Sequence, residues 1–343
     1  MNRQHMLALG LAAGAGAALI GVRLARARRR ISFAGRVVVI TGGSRGLGLV
    51  MARMFADEGA RVCLLARDIN ELDRARIDLE ARGASVLALR CDVRRRADVR
   101  AAVDTIVDQW RAIDVLVNNA GVIQVGPFEH MTHEDFDNAM ATHFWGPLHL
   151  ILEAIPIMRG RGFGRIVNIS SLGGRIAVPH LGPYCASKFA LVGLSDAART
   201  ELDKYGIRVT TVCPGLMRTG SPPNAHVKGN HEAEYAWFAI SDSLPGLTTS
   251  AQSAARQILD ACRHGDPELT ITLQARLAAI ANAAVPAAVA RAMMLVTRLL
   301  PAPTDMSGDQ IKRGRESESR WAPSLATTLI ARHDPHESCG NSE

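Results

Sequence analysis

Only three tyrosines and four lysines occur among the 343 residues of this sequence, and no two of its cysteines lie close together. The six cysteines, Cys63, Cys91, Cys185, Cys213, Cys262 and Cys339, form no C-x-x-C pair, which gives a thiolate metal site no support. Most of them sit in apolar runs as small buried residues, and a reducing compartment is the simplest setting. The eleven histidines give no HExxH or HxxxH pair beside an acid, so no metal is expected. Acidic residues are missing from the first 36 positions, where seven arginines (Arg3, Arg23, Arg26, Arg28, Arg29, Arg30, Arg36) supply the whole net charge of +7. Beyond Arg36 the chain is neutral, 33 basic residues against 33 acidic. The body therefore lacks the positive excess that a nucleic-acid groove requires, and no nucleic-acid partner is expected.

What is present begins with one large domain and its appendages, the natural reading of this length and of an apolar fraction of 48%. The run MLALGLAAGAGAALIGV, Met6 to Val22, is uncharged and is followed at once by RLARARRR. As a helix it spans about 26 Å, slightly short of the roughly 30 Å hydrocarbon core, a gap that snorkelling arginines close. A cleaved signal peptide is the rival reading, but a secretory signal carries its charge before the apolar run and not after it. Residues 1–30 are thus expected to form an uncleaved single-pass membrane anchor with a basic flank, and the positive-inside rule puts everything beyond on the cytoplasmic side. Gly10, Gly14 and Ala18 share a small-residue face that leaves a homo-oligomer open.

From Arg36 the pattern alternates. RVVVI is a buried-strand run closed by TGGSRGLG, after which Leu47, Val50, Met51, Met54 and Phe55 recur at helical spacing up to Gly59. Further strands are expected at 61–66, 85–90, 114–119, 165–170, 208–213 and 268–272. Between them lie helices near 70–82, 97–110 and 134–158, and one starting near Pro183. Seven strands alternating with helices imply an α/β fold, a doubly wound, Rossmann-type parallel sheet covered on both faces, over residues 31–272. Residues 273–302 read as an apolar helical extension broken near Pro286, and 303–343 as a mobile polar tail.

Three motifs carry chemistry. The glycines at 42, 46 and 48 stand between a buried strand and an amphipathic helix, where a backbone turn cradles a pyrophosphate; taken alone they would also suit an ordinary turn. NNAG, Asn118 to Gly121, follows the fourth strand. Tyr184 and Lys188 lie one helical turn apart on one face, and Ser171 precedes Tyr184 by thirteen residues at the end of the RIVNIS strand. With PGLMRT, Pro214 to Thr219, these motifs in this order resemble the short-chain dehydrogenase/reductase family from about residue 35 to 272. The T-G-x-x-x-G-x-G pattern is similar to the subgroup acting on alcohols and ketones.

The resemblance implies a catalytic set of Ser171, Tyr184 and Lys188. It further implies cofactor contacts from Thr41, Gly42, Ser44, Arg45, Gly46, Leu47, Gly48, Arg67, Asp92, Val93, Asn119, Ala120, Gly121, Tyr184, Lys188, Pro214, Gly215 and Thr219. An NAD-selective site carries an acid at the end of the second strand; Ala66 stands there, while Arg67 and Arg45 suit the 2′-phosphate of NADP. Either arginine alone would also serve as solvated surface. Bringing a tyrosine from about pH 10 to near 7 needs about 4 kcal/mol of phenolate stabilisation, much of which a nearby ammonium supplies. One departure stands out: where the family has N-x-x-G, with an asparagine holding a water of the proton relay, this chain has HFWG. His143 is then either a relay residue able to titrate or a structural residue beside aromatics.

Residues 220–250 fall where the family places its substrate lid, and Tyr235, Trp237 and Phe238 either floor an apolar pocket or pin the lid. The helices of 273–302 would lie on a membrane, on the core or on a second subunit. The expected function is an NADP-dependent oxidoreductase, membrane-anchored, interconverting a small apolar alcohol and its ketone or aldehyde. The alternatives are a 3-oxoacyl thioester reductase, which the neutral body does not favour, and a catalytically weak NADPH-binding scaffold.

Overall fold

The computed structural model describes residues 21–218, 222–241 and 248–319. Seven strands form one sheet: β1 Val37–Thr41, β2 Arg61–Ala66, β3 Val86–Arg90, β4 Val115–Asn118, β5 Gly164–Ile169, β6 Ile207–Pro214 and β7 Glu268–Ile271. Their spatial order is 7-6-5-4-1-2-3 and every pairing is parallel. The strands are apolar on both faces because helices cover both. Val38, Ile40, Val62 and Leu64 face one layer, in which helices α1 (Gly46–Asp57), α2 (Ile69–Ala81) and α8 (Ala251–His264) pack with Phe33. Val37, Val39, Cys63 and Leu65 face the other, built from α3 (Arg96–Trp110), α5 (Gly146–Gly160) and the end of α6 (Gly182–Leu202). This is the doubly wound sheet expected from the alternation.

The strand order reverses beside β1, whose neighbours are β2 and β4. Connections there leave to opposite faces, so a crevice opens outside the carboxyl ends of the strands, where such sheets take their ligands.

The long helix expected over 134–158 is two helices. α4 (His133–Met140) ends in a widened π turn, Ala141–Trp145, before α5 begins. Pro147 has no N–H to give to the carbonyl of His143 four residues back, which favours the widening. Gly146 also lies against the loop after β3, where a Cβ would come within 2.9 Å of Val93 Cγ2.

The lid helix α7 (His231–Ser241) stands over the crevice on a small three-stranded sheet of Gln124–Val125, His226–Val227 and Lys312–Arg313. Lys312–Arg313 belongs to the tail expected to be mobile from 303. Through Ser319, that tail is instead laid on the lid: Gly229 N–H donates to Gly308 O at 2.9 Å, Gly314 N–H donates to Ala225 O at 2.8 Å, and His130 Nδ1 meets Asp309 Oδ1 at 2.7 Å. Composition read as polar and glycine-rich did not reveal these partners, because they lie far away in sequence.

The extension forms α9 (Leu273–Ala284) and α10 (Pro286–Thr297), with the break at Val285 beside the expected proline. The anchor expected at 1–30 lies mostly outside the described residues. Among the described residues no helix is long and apolar enough to cross a membrane. Residues 21–28 are helical, and Arg26 holds Asp266 and Asp260 at 2.8 and 2.5 Å, fixing the basic flank to the start of β7.

Candidate active site

The turn after β1 is built by backbone approach. Gly42 and Gly46 hold φ of +62° and +54°, a region that favours glycine. A Cβ on Gly48 would collide with the Gly42 carbonyl and come within 2.7 Å of Asn119 Nδ2, so α1 can start this close to the sheet only with glycine there. The Thr41 hydroxyl accepts from the N–H groups of Asn119 and Ala120 at 2.9 Å each, and Asn119 Nδ2 donates to the carbonyls of Thr41 and Gly42. The NNAG loop is thereby stitched to the glycine turn. The space a dinucleotide pyrophosphate would take lies before the N-terminus of α1, which favours negative charge. The cradle therefore fits the cofactor that the motifs imply.

At the adenosine end, Arg67 is exposed and lines a depression with Asp92, Leu89 and Arg95. The Asp92 carboxylate is gripped by the Arg94 guanidinium at 2.6 Å, which lowers its pKa. Val93 lies buried beside it. The sequence reading missed Glu71. From the first turn of α2 it accepts from the Ser44 hydroxyl at 2.9 Å and from Arg45 at 3.2 Å, while Arg45 also reaches Asn224 of the lid loop at 2.9 Å. Arg45 and Arg67 are both exposed here, and Arg45 is in addition paired with Glu71 and Asn224. The signal was there: Asp68 caps α2 by accepting from Glu71 N–H, the third residue of the helix.

Ser171, in extended conformation directly after β5, accepts from Gly173 N–H at 3.0 Å and is half-buried. Its neighbour Ser170 is buried and donates to Lys188 O at 3.0 Å, so that hydroxyl is taken by a structural bond, while Ser171 is half-buried. Gly173 packs on Tyr184, where a Cβ would come within 3.1 Å of the ring. Lys188, one turn along α6, is buried, and its Nζ lies 5.6 Å from the Tyr184 ring centroid. Nζ donates to the carbonyl of Ile169 at 2.8 Å. Burial pulls the ammonium down to about 7. Ser171, Tyr184 and Lys188 thus converge at the carboxyl end of β5.

His143 is brought to the same place, its ring edge-on to Tyr184 at 5.5 Å. Both nitrogens are engaged. Nε2 accepts from Val122 N–H at 3.1 Å, and Nδ1 meets the Ser187 hydroxyl at 2.8 Å, which itself donates to Tyr184 O. Only the neutral ring protonated at Nδ1 satisfies all three bonds. Burial first, and the Lys188 charge second, hold its pKa well below the usual histidine value. A titrating relay histidine does not suit this geometry; a neutral brace does. Ser187 has no motif of its own and went unnoticed in the sequence.

Pro214 and Gly215 close β6, with Gly215 N–H bonded to Ile271 O at 3.2 Å. Thr219 lies outside the described residues. Of the lid aromatics, Tyr235 packs with Val227 and Ala239 under the lid, whereas Trp237 and Phe238 cluster with Tyr184, Ile123, Val178 and Leu181. Tyr235 thus pins the lid, while Trp237 and Phe238 pack against the Tyr184 side of it. The buried Glu234 binds His180 at 2.9 Å and the Trp237 Nε1–H at 2.6 Å, tying the lid helix to the segment after Ser171.

A doubly wound sheet, a glycine cradle and a serine, tyrosine and lysine gathered beside it define a dinucleotide-dependent oxidoreductase class. The family described as short chain dehydrogenase matches residues 36–226. An uncharacterized oxidoreductase of Mycobacterium bovis is 40% identical over 186 residues, 54% of this chain and 74% of the relative. An actinorhodin polyketide ketoreductase variant solved with NADPH superposes with a TM-score of 0.63 at 29% identity, over 69% of this chain and 95% of that one. L-sorbose reductase from Gluconobacter frateurii, complexed with NADPH and L-sorbose, gives 0.63 at 27% identity, over 70% and 97%. The chain belongs to the short-chain dehydrogenase/reductase family, and it is an NAD(P)-dependent oxidoreductase acting on CH–OH or carbonyl groups.

Proposed function

We propose that the protein interconverts a lipophilic alcohol and its ketone or aldehyde with NADP(H), and that Tyr184 is the acid/base. The observation that carries this reading is the convergence of Ser171, Tyr184 and Lys188 against the apolar wall of Ile123, Val178, Leu181, Trp237 and Phe238. Thr41, Gly42, Gly46, Gly48, Asn119 and Ala120 would hold the cofactor's phosphates, and Arg67 would meet a 2′-phosphate. Bound there, the nicotinamide delivers or receives the hydride.

The chain's own residues do the rest. The Ser171 hydroxyl bonds the substrate oxygen and sets it beside the phenol. The Tyr184 hydroxyl gives its proton to that oxygen during reduction and takes it back during oxidation. Lys188 has three donors and only one protein acceptor described, so two remain for a phenolate and a ribose hydroxyl. A cation so poorly solvated gains most from a nearby anion, so a phenolate at Tyr184 is the partner it would stabilise. His143 and Ser187 hold the first turn of α6 in place. The run Met6–Val22 anchors the enzyme in a membrane, with the catalytic domain on the cytoplasmic side.

The test is the detergent-solubilised full chain with NADPH and a panel of apolar ketones and aldehydes, followed by loss of nicotinamide absorbance. Turnover that is abolished by Tyr184→Phe is expected. No turnover on any panel member, or turnover indifferent to Tyr184→Phe, would sink the reading. Insertion of the anchor is checked separately, by protease protection of a tag placed before Met6.

A further inference from the structure

We propose that the α9–α10 hairpin is a docking foot that lies in the headgroup layer of an anionic bilayer, beside the mouth of the crevice. The outer face of the hairpin is left uncovered among the described residues. Of α9 only Ala275 is buried, and of α10 nothing is. Leu273, Leu277 and Ile280 recur at helical spacing along one stripe and are 66%, 58% and 64% exposed. On α10, Met294 and Leu295 are 65% and 60% exposed, and Leu299 just past its end is 85% exposed, whereas Val289 and Met293 are half-buried.

Charge decides what covers this face. From Leu269 to Thr304 there is no acidic residue, and Arg276, Arg291 and Arg298 supply three positive charges. Arg291 and Arg298 bracket Met294 and Leu295 on the same side of α10, so the cations rim the exposed apolar groups. Arginines that keep their heads in water while apolar neighbours sink a few ångströms suit the edge of a bilayer. A second copy brought face to face would set arginines against arginines with no acid between them, which argues against self-pairing.

Placement agrees. The start of α9 packs on the Pro214–Gly215 loop, where a Cβ on Gly215 would meet Thr272 Oγ1 at 2.8 Å and Ala275 Cβ at 3.2 Å. Asn282 donates to Arg175 O at 2.9 Å, just beyond Ser171. Arg26, which follows the apolar run Met6–Val22, is held by Asp266 at the opposite end of the same edge strand. Asp266 and Leu273 are at most about 23 Å apart along extended chain, so one bilayer surface is within reach of both. That the crevice receives an apolar substrate from the lipid rests on the function proposed above; the docking does not.

The test uses the full chain with Cys339→Ser, since the five other cysteines are buried. A single cysteine introduced as Leu277→Cys or Leu295→Cys carries a nitroxide, with Ile77→Cys on α2 as the control. The protein is reconstituted in vesicles of phosphatidylcholine, with or without phosphatidylglycerol. On the anionic vesicles, collisions with a water-soluble nickel chelate are expected to fall several-fold at 277 and 295 and to stay unchanged at 77. The pair Arg291→Gln and Arg298→Gln should lower the docked fraction by about an order of magnitude. Labels at 277 and 295 as open to nickel as the control would overturn the proposal, and so would lipid-independent dipolar broadening between labels of two copies. Because neither readout involves turnover, an enzyme inactive on every apolar carbonyl would still dock.

Discussion

The two walls of the crevice are made differently. The glycine-turn wall is close-packed backbone tied by two short side chains: Gly42 and Gly48 approach each other closely, and the Thr41 hydroxyl and Asn119 amide bond the backbone of the other loop, all from only two loops. The lid wall, where the proposed function would seat the substrate, is held side chain to side chain across long stretches of sequence. His180 binds Glu234, the buried Lys228 binds Asp135 at 2.7 Å, and His130 binds Asp309. The first wall tolerates almost no added atom, so its sequence is constrained. The second can be redrawn one pair at a time, which suits a family whose chemistry is shared and whose substrates differ.

The sharpest test of this contrast is at the chemistry itself. Tyr184→Phe should lower kcat by about 10³-fold with NADPH affinity and melting temperature nearly unchanged, as read by stopped turnover beside intact cofactor titration. Gly48→Ala should act on the first wall. The added methyl faces the Gly42 carbonyl, so a loss of about 1–3 kcal/mol in denaturant titration is expected, together with NADPH binding weakened beyond what the stability loss explains. If Gly48→Ala binds NADPH normally, the close-contact account of that wall fails.

Asp309→Ala addresses the second wall. It frees the tail from His130, and a rise in substrate KM of about tenfold is expected, with NADPH affinity unchanged, since a hydrogen bond near a charged group contributes about 1.5 kcal/mol. An equal effect on both ligands would erase the distinction between the walls.

The smallest effect is in pH. Lys188 is held near 7 by burial, against 10.5 for the free side chain, so the unfolded chain binds the extra proton between those values. Stability from this group therefore rises with pH from about 7 to 10.5 and is lowest below 7, where the folded protein must carry the buried charge. Lys188→Met, inactive, should melt a few degrees higher than the parent at pH 6 and lose that advantage toward pH 10.

Much of this was legible in the sequence. The seven strands could be placed because each is a short apolar run between turn residues, and β2 was bounded to the residue by Arg61 and Ala66. Gly42, Gly48, Tyr184 and Lys188 were readable because their geometry depends on near neighbours: a turn, a helix start, one helical turn. The π turn at Ala141–Trp145 was hidden, since its helical periodicity continues on both sides. His143 was visible as a departure, but its partners Val122 and Ser187 come from other elements, so its neutral form could not be read. Nothing local to 304–319 announced the lid as its destination, because the pairs involve Ala225, Gly229 and His130.

The placement of that tail bears on how selectivity can change over time. Residues 304–319 bond the lid segment at Ala225 and Gly229, so under the function proposed above a change there would act on the substrate side while leaving Tyr184 and Lys188 as they are. A lineage acquiring a new substrate would be expected to show its first changes around residues 304–319, far in the text of the gene from the tyrosine they serve.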